Sequence, residues 1–184
     1  VTGVQTCALP ICDIRLITSD KERAAAVDYL KTQQILGFDT ESRPAIKKGQ
    51  HFPVSLLQLS TADECFLFRF IDQEFDQDLA DILADPNIAK VGVAVRDDII
   101  GLQKLHDFKD HGFVEIADIA RDRGYKQTGL RNLTALLFGR KLSKRAKLSN
   151  WAQEKLTNSQ KEYAAIDAWI SRELYLKFEE SKDK

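Results

Sequence analysis

The sequence is poor in cysteine, and the three it has, Cys7, Cys12 and Cys65, follow no regular spacing. An odd number without spacing argues against a disulfide framework and against a zinc ribbon. Cys65 lies in the apolar run Cys65-Phe66-Leu67-Phe68 and reads as a small buried hydrophobe. Free thiols of this kind suit a reducing compartment, and a cytoplasmic location is expected. No apolar run approaches the ~18 residues that a membrane helix needs, so no membrane partner is expected. An excess of charge of one sign is also missing: 27 Lys and Arg face 28 Asp and Glu, for a formal net charge of -1. That balance excludes a globally basic nucleic-acid binder but leaves room for a local basic patch. His51, His106 and His111 are scattered without metal-ligand spacing and read as surface or loop residues. Neither internal repeats nor low-complexity linkers occur.

What is present fits a folded chain. With 184 residues, 43% of them hydrophobic and 30% charged, it can build one core and is too hydrophobic for intrinsic disorder. Residues 1–11 (VTGVQTCALPI) have no Lys or Arg, lack the charged start of a signal peptide, and resemble a translated sequencing-adapter read. They are expected to be a non-native segment, leaving residues 12–184 as a single domain.

From residue 12 the pattern is orderly. Residues 13–18 (DIRLIT) alternate and suggest a short strand. Ser19 followed three positions later by Glu22 is a capping box, and it opens a helix with Val27 and Leu30 on one face. Residues 35–41 (ILGFDTE) read as a buried strand ending in acids. After a polar loop over residues 43–53, residues 54–60 and 64–70 form two strands joined by a tight turn. Residues 76–83 read as a helix, 90–95 (KVGVAV) as a strand, 97–106 as a helix and 113–119 as a fifth core strand. Two helices follow, over 130–138, stopped by Gly139, and over 159–178. This order implies one α/β domain on a mixed sheet.

The chemistry lies in acids set within apolar segments. Asp39 and Glu41 are two apart on a strand, so both project from one face, although acids are also common where strands meet solvent. Asp97 and Asp98 follow a buried strand; one can cap the next helix while the other faces a site. Tyr163 and Asp167 share a helical face whose neighbours Ala164, Ala165 and Ala168 are small. A carboxylate in such packing requires a partner, and a cation would serve. Oxygen ligands without a Cys/His cluster suit Mg2+ or Mn2+.

Phe38-Asp39-Thr40-Glu41, residues 91–98 (VGVAVRDD) and Tyr163-Ala164-Ala165-Ile166-Asp167 together resemble the three motifs of the DEDD family of 3′-5′ exonucleases. The branch with ribonuclease D and the Werner-syndrome exonuclease domain is the most similar, supported by residues 56–59 (LLQL) and 149–151 (SNW). The resemblance spans about residues 35–178. It implies a ribonuclease H-like fold: a mixed five-stranded sheet, its first three strands antiparallel, with helices on both faces. It also implies two divalent cations, Mg2+ or Mn2+, that hydrolyse phosphodiester bonds from a single-stranded or 3′-recessed nucleic-acid end, releasing nucleoside monophosphates. Asp39 would bridge both ions. Glu41 and Asp167 would complete the nucleophile-side ion, Asp98 would hold the other, and Tyr163 would orient the attacking water. Glu162 stands where a second subfamily has histidine, so the tyrosine-type subfamily is implied. No obligate protein partner is.

Two alternatives stay open at this point: ribonuclease D-like trimming of RNA 3′ ends, and an inactive exonuclease fold that only binds nucleic acid. Residues 140–147 (RKLSKRAK) carry five basic side chains in eight, and Lys144, Arg145 and Lys147 are expected to contact phosphates, with Trp151 stacking on a base or buried under the last helix. Lys47 and Lys48 are weaker candidates for the same role.

Overall fold

The computed structural model describes residues 12–71, 73–143 and 146–181. The expectation for residues 1–11 and the phosphate-contact assignments of Lys144 and Arg145 therefore lie outside the described residues. The element order is β1 (Asp13–Ile17), α1 (Asp20–Leu30), β2 (Ile35–Ser42), β3 (Val54–Ser60), β4 (Glu64–Arg69), α2 (Gln77–Ala84), β5 (Ala89–Gly92), α3 (Val95–Gln103), β6 (Phe113–Glu115), α4 (Ile116–Asp122), α5 (Leu130–Phe138) and α6 (Asn158–Glu180).

Among the described residues the sheet has six strands in the order β1-β4-β3-β2-β5-β6, where five were expected. The additional strand is β1, which pairs in parallel with β4 at the edge, Ile14 opposite Cys65 and Leu16 opposite Leu67. The antiparallel run β2-β3-β4 is as expected, and β5 and β6 extend it in parallel. Two strands are shorter than the sequence suggested. β5 stops at Gly92, because Ala94 turns left-handed (φ 63) and α3 begins at Val95. β6 stops at Glu115, and residues 116–119 are helical.

Alternation along the strands sorts the core into two layers. Leu36, Phe38, Leu57, Leu59, Phe66 and Phe68 face α1, α2 and α3. Leu56, Cys65 and Leu67 face Ala164, Ala165 and Ala168 of α6, and a third cluster joins Val91 to α4, α5 and the far half of α6. Both faces are thus covered by helices. Among the described residues no helix is long and apolar enough to cross a membrane.

The capping box at Ser19 and Glu22 opens α1 as read, and Gly139, at φ 65, closes α5. A second box, Thr157 with Gln160, opens α6. Gly37 matters most for the site: a Cβ there would lie 1.9 Å from the Ala168 carbonyl oxygen. Glycine on β2 and alanines on α6 let the helix backbone rest directly on the strand.

Candidate metal centre and active site

Gly37, Asp39 and Glu41 share the α6 face of β2 by alternation, so the contact that seats Ala168 over Gly37 brings Asp167 over Asp39. Asp39, Glu41 and Asp167 each offer a carboxylate oxygen, and these atoms all lie within 4.8 Å of one another. Thr40 projects from the opposite face, where its Oγ1 donates to Asp98 Oδ1 of α3 at 2.5 Å. Asp98 thus reaches the same strand end from the other layer, while Asp97 is exposed. Just past Glu41 the register with β3 shifts, bending the strand.

The position of Asp98 depends on how α3 starts. The Glu115 carboxylate accepts from the backbone N–H groups of Ala94 (3.0 Å), Val95 (2.9 Å) and Ala117 (3.0 Å). One side chain thus holds the left-handed Ala94 in place and serves the first turns of both α3 and α4.

Burial makes the cluster electrostatically unfavourable when its acids are ionised. Asp39 is pushed well above the usual carboxylate range, first by loss of water and then by the charges of Asp167, Asp98 and Glu41. Glu41 is raised to about 9 by burial, then by Asp167 and Asp98, with Lys147 opposing. Asp98 is raised to about 7, mainly by burial, and the Thr40 hydrogen bond opposes this. Asp167, 8% exposed, rises to about 6 through burial, against the pull of Tyr163, Arg131 and Lys147. Burial, then Asp167 and Glu41, pushes the Tyr163 phenol up, so the hydroxyl stays protonated at neutral pH. Acids crowded in this way require compensating positive charge.

Asp39, Thr40, Glu41, Tyr163 and Asp167 form the acidic wall of a cleft of about 490 Å³. The cleft is also lined by residues 129–132 at the start of α5, which bring Arg131 and Asn132, and by Lys147. The N-cap of α5 is Gly129, which provides no side-chain cap, so the N–H groups of the first turn remain available at the cleft. Arg131 also donates to the Ser143 carbonyl at 3.1 Å, tying α5 to the basic segment. A second cleft, of about 410 Å³, lies beside β1 and α1, but its Arg15 is paired with Glu64 and its Glu22 is used in the helix cap.

The site assignments fare differently. Lys147 lines the cleft, whereas Lys47 and Lys48 are exposed on the loop after β2 and do not line it. Trp151 corrects the stacking assignment: it has no exposed surface and packs against Tyr163 with ring centroids 6.0 Å apart. The turn that carries it is tied to the body of the fold, where Gln160 donates to the Ser149 hydroxyl and Arg69 donates to the Gln153 and Glu154 carbonyls. Arg131 was missed, although a signal existed: a cation in the first turn of a helix opposes the helix dipole. Thr40 was missed as well, having been read only as the spacer between two acids.

Comparisons with known proteins identify the family of the chain. The family model described as 3′-5′ exonuclease matches residues 14–182. The chain is 32% identical over 154 residues to the bifunctional 3′-5′ exonuclease/ATP-dependent helicase WRN of Mus musculus, covering 80% of this chain and 11% of that protein. It spans 11%, 26% and 58% of the length of the first three curated relatives that it matches. Among solved structures, the Nibbler EXO domain of Aedes aegypti superposes with a TM-score of 0.85 at 25% identity, covering 97% of this chain and 93% of that one. The RNase D of Escherichia coli superposes at 0.80 with 22% identity, covering 92% of this chain and 46% of that one, and shares the fold. The chain belongs to the 3′-5′ exonuclease family, in its ribonuclease D and WRN-like branch.

Proposed function

We propose that this chain is a metal-dependent 3′-5′ exonuclease, formed by residues 12–184 as one domain, which hydrolyses the last phosphodiester bond of a nucleic-acid 3′ end and releases a nucleoside monophosphate. The observation that carries this reading is the convergence of Asp39, Glu41 and Asp167 on points within 4.8 Å, in surroundings that oppose their charge. Oxygen-only donors with no thiolate or imidazole fit a hard divalent ion, Mg2+ or Mn2+. Asp39, Glu41 and Asp167 would hold one ion, and Asp98 with Asp39 a second. Two such ions stabilise the charge that builds on the attacking and leaving oxygens of phosphodiester hydrolysis.

The chain's own groups account for the rest. Tyr163, hydrogen-bonded to Asp167 and kept protonated by burial, orients a water without acting as its base. Trp151 backs the Tyr163 ring and limits its movement. Arg131, Lys147 and the uncapped first turn of α5 put positive potential in the same cleft as the acids, where the phosphates of a single-stranded or 3′-recessed end would lie.

Matched DNA and RNA oligonucleotides with a 5′ label, incubated with Mn2+ or Mg2+, test the reading. The expected result is a ladder shortening from the 3′ end, absent in chelator and absent for Asp39→Asn. Oligonucleotide retention without any shortening, in either metal, would overturn it in favour of a binding-only fold. The relative rates on DNA and RNA identify the substrate.

A further inference from the structure

Gln58 of β3 has no exposed surface, and neither its amide nitrogen nor its carbonyl oxygen has a hydrogen-bond partner among the described residues. Burying an unpartnered amide opposes folding, because both polar atoms give up water without replacement. Leu56 and Leu67, both fully buried on the same sheet face, show that an apolar side chain is accommodated there without that penalty.

The register indicates what Gln58 is for. In the antiparallel sheet it stands directly opposite Asp39 on β2 and opposite Leu67 on β4. Residues paired in this way have Cβ atoms about 4.5–5.5 Å apart on one face, close enough for a glutamine amide to meet a carboxylate. The rest of that face offers it little. Leu56 and Leu67 have no polar side-chain atoms, Ala164, Ala165 and Ala168 cover the face, and the Ser60 hydroxyl donates to the Thr61 and Glu64 carbonyls. The Arg69 guanidinium, which donates to the Gln153 and Glu154 carbonyls, and the Trp151 indole are donors only and cannot accept from the Gln58 N–H. Asp39 accepts the Thr40 N–H on Oδ1 at 2.9 Å, leaving further acceptor capacity on its carboxylate.

We propose that Gln58 is a positioning residue for Asp39: its amide N–H donates to that carboxylate in the loaded site and fixes the plane of the acid that faces both ions. The inference rests on the metal-dependent reading above and adds a residue to it. Partners that orient a ligating carboxylate are worth about 10–100-fold in metal affinity.

The test compares Gln58→Met, which keeps an unbranched side chain of similar size, with Asp39→Asn and the unmodified protein. Mn2+ affinity is measured by calorimetry and thermal melting is followed in chelator. For Gln58→Met the expected result is a metal-free melting temperature equal to or above that of the unmodified protein, with Mn2+ affinity lowered about 10–100-fold. Unchanged Mn2+ affinity overturns the proposal. A melting temperature that falls by several degrees in chelator also overturns it, because the amide then has a partner in the metal-free fold. Asp39→Asn separates the two levels of inference. If it binds Mn2+ as tightly as the unmodified protein, the metal-site reading itself fails. If it loses Mn2+ while Gln58→Met keeps it, only the role of Gln58 fails.

Discussion

Replacing Asp167 by Asn is expected to remove activity and, in the absence of metal, to stabilise the fold. Burial raises this acid from 3.8 to about 6. Below 3.8 the group is protonated in both folded and unfolded chains and has no effect on their balance. Between 3.8 and about 6 the unfolded chain releases the proton while the folded chain keeps it, so stability falls as pH rises. Above that window the penalty is complete. At 1.36 kcal/mol per pH unit, it amounts to on the order of 3 kcal/mol. Asn keeps the shape and can still accept from Tyr163, yet it has no charge to bury. In chelator at pH 8 the variant should therefore melt roughly 6–12 °C above the unmodified protein, at about 2–4 °C per kcal/mol for a chain of this size. At pH 4 the difference should nearly vanish. Saturating Mn2+ should reverse the order, because the ion stabilises the ionised site and binds the variant poorly. Melting curves in chelator at the two pH values decide the matter. Equal melting temperatures at pH 8, or a difference independent of pH, would refute the claim that a buried charge is held there at the expense of stability.

Three further outcomes follow from the same geometry. Tyr163→Phe, which keeps the ring against Trp151, should leave Mn2+ affinity nearly unchanged in calorimetry while turnover falls by about 10²-fold. Arg131→Ala combined with Lys147→Ala should flatten the salt dependence of single-strand binding by roughly 0.7 in log–log slope per lost phosphate contact, measured by fluorescence anisotropy; an unchanged slope would remove both residues from the interface. Gly37→Ala should lower stability by about 1–3 kcal/mol in urea melts and reduce activity of the folded fraction, since its Cβ would meet the Ala168 carbonyl at 1.9 Å and displace α6.

The acids were legible in the sequence because charge inside apolar segments is conspicuous, and two-residue and four-residue spacings decide which side chains share a face. Asp39 with Glu41, and Tyr163 with Asp167, needed only that local periodicity. Residues whose role depends on a distant neighbour were harder to see. Thr40 matters because Asp98 arrives from another layer, and Glu115 because it accepts from the start of α3 across the β5–β6 pairing. β1 was recognisable as a short strand, but membership of the sheet depends on parallel pairing with β4, and parallel partners are distant in sequence. The tail of the 90–95 run and residues 116–119 looked like strand because apolar content alone does not separate a buried strand from the first turn of a buried helix. Trp151 was ambiguous for a related reason: its residue type suits stacking, whereas it is buried on a turn that Arg69 and Gln160 tie to the body of the fold.

The small residues of α6 connect the fold to the chemistry. Ala164, Ala165 and Ala168 each bury little apolar area, so this face of the helix contributes less to stability than larger side chains would. Their value is proximity: no larger residue would let the α6 backbone settle against β2 at Gly37, and without that approach Asp167 would stand too far from Asp39 to share an ion with it. The stability forgone here is supplied elsewhere, by the cluster of leucines and phenylalanines on the opposite sheet face and by the far half of α6, where Leu174 and Phe178 are buried against Val91 and Leu133. α6 is therefore anchored at one end by large apolar side chains and placed at the other by small ones. A substitution that enlarges the alanines should accordingly impair metal affinity before it impairs folding, because the helix can tilt about its well-packed end and carry Asp167 away from β2.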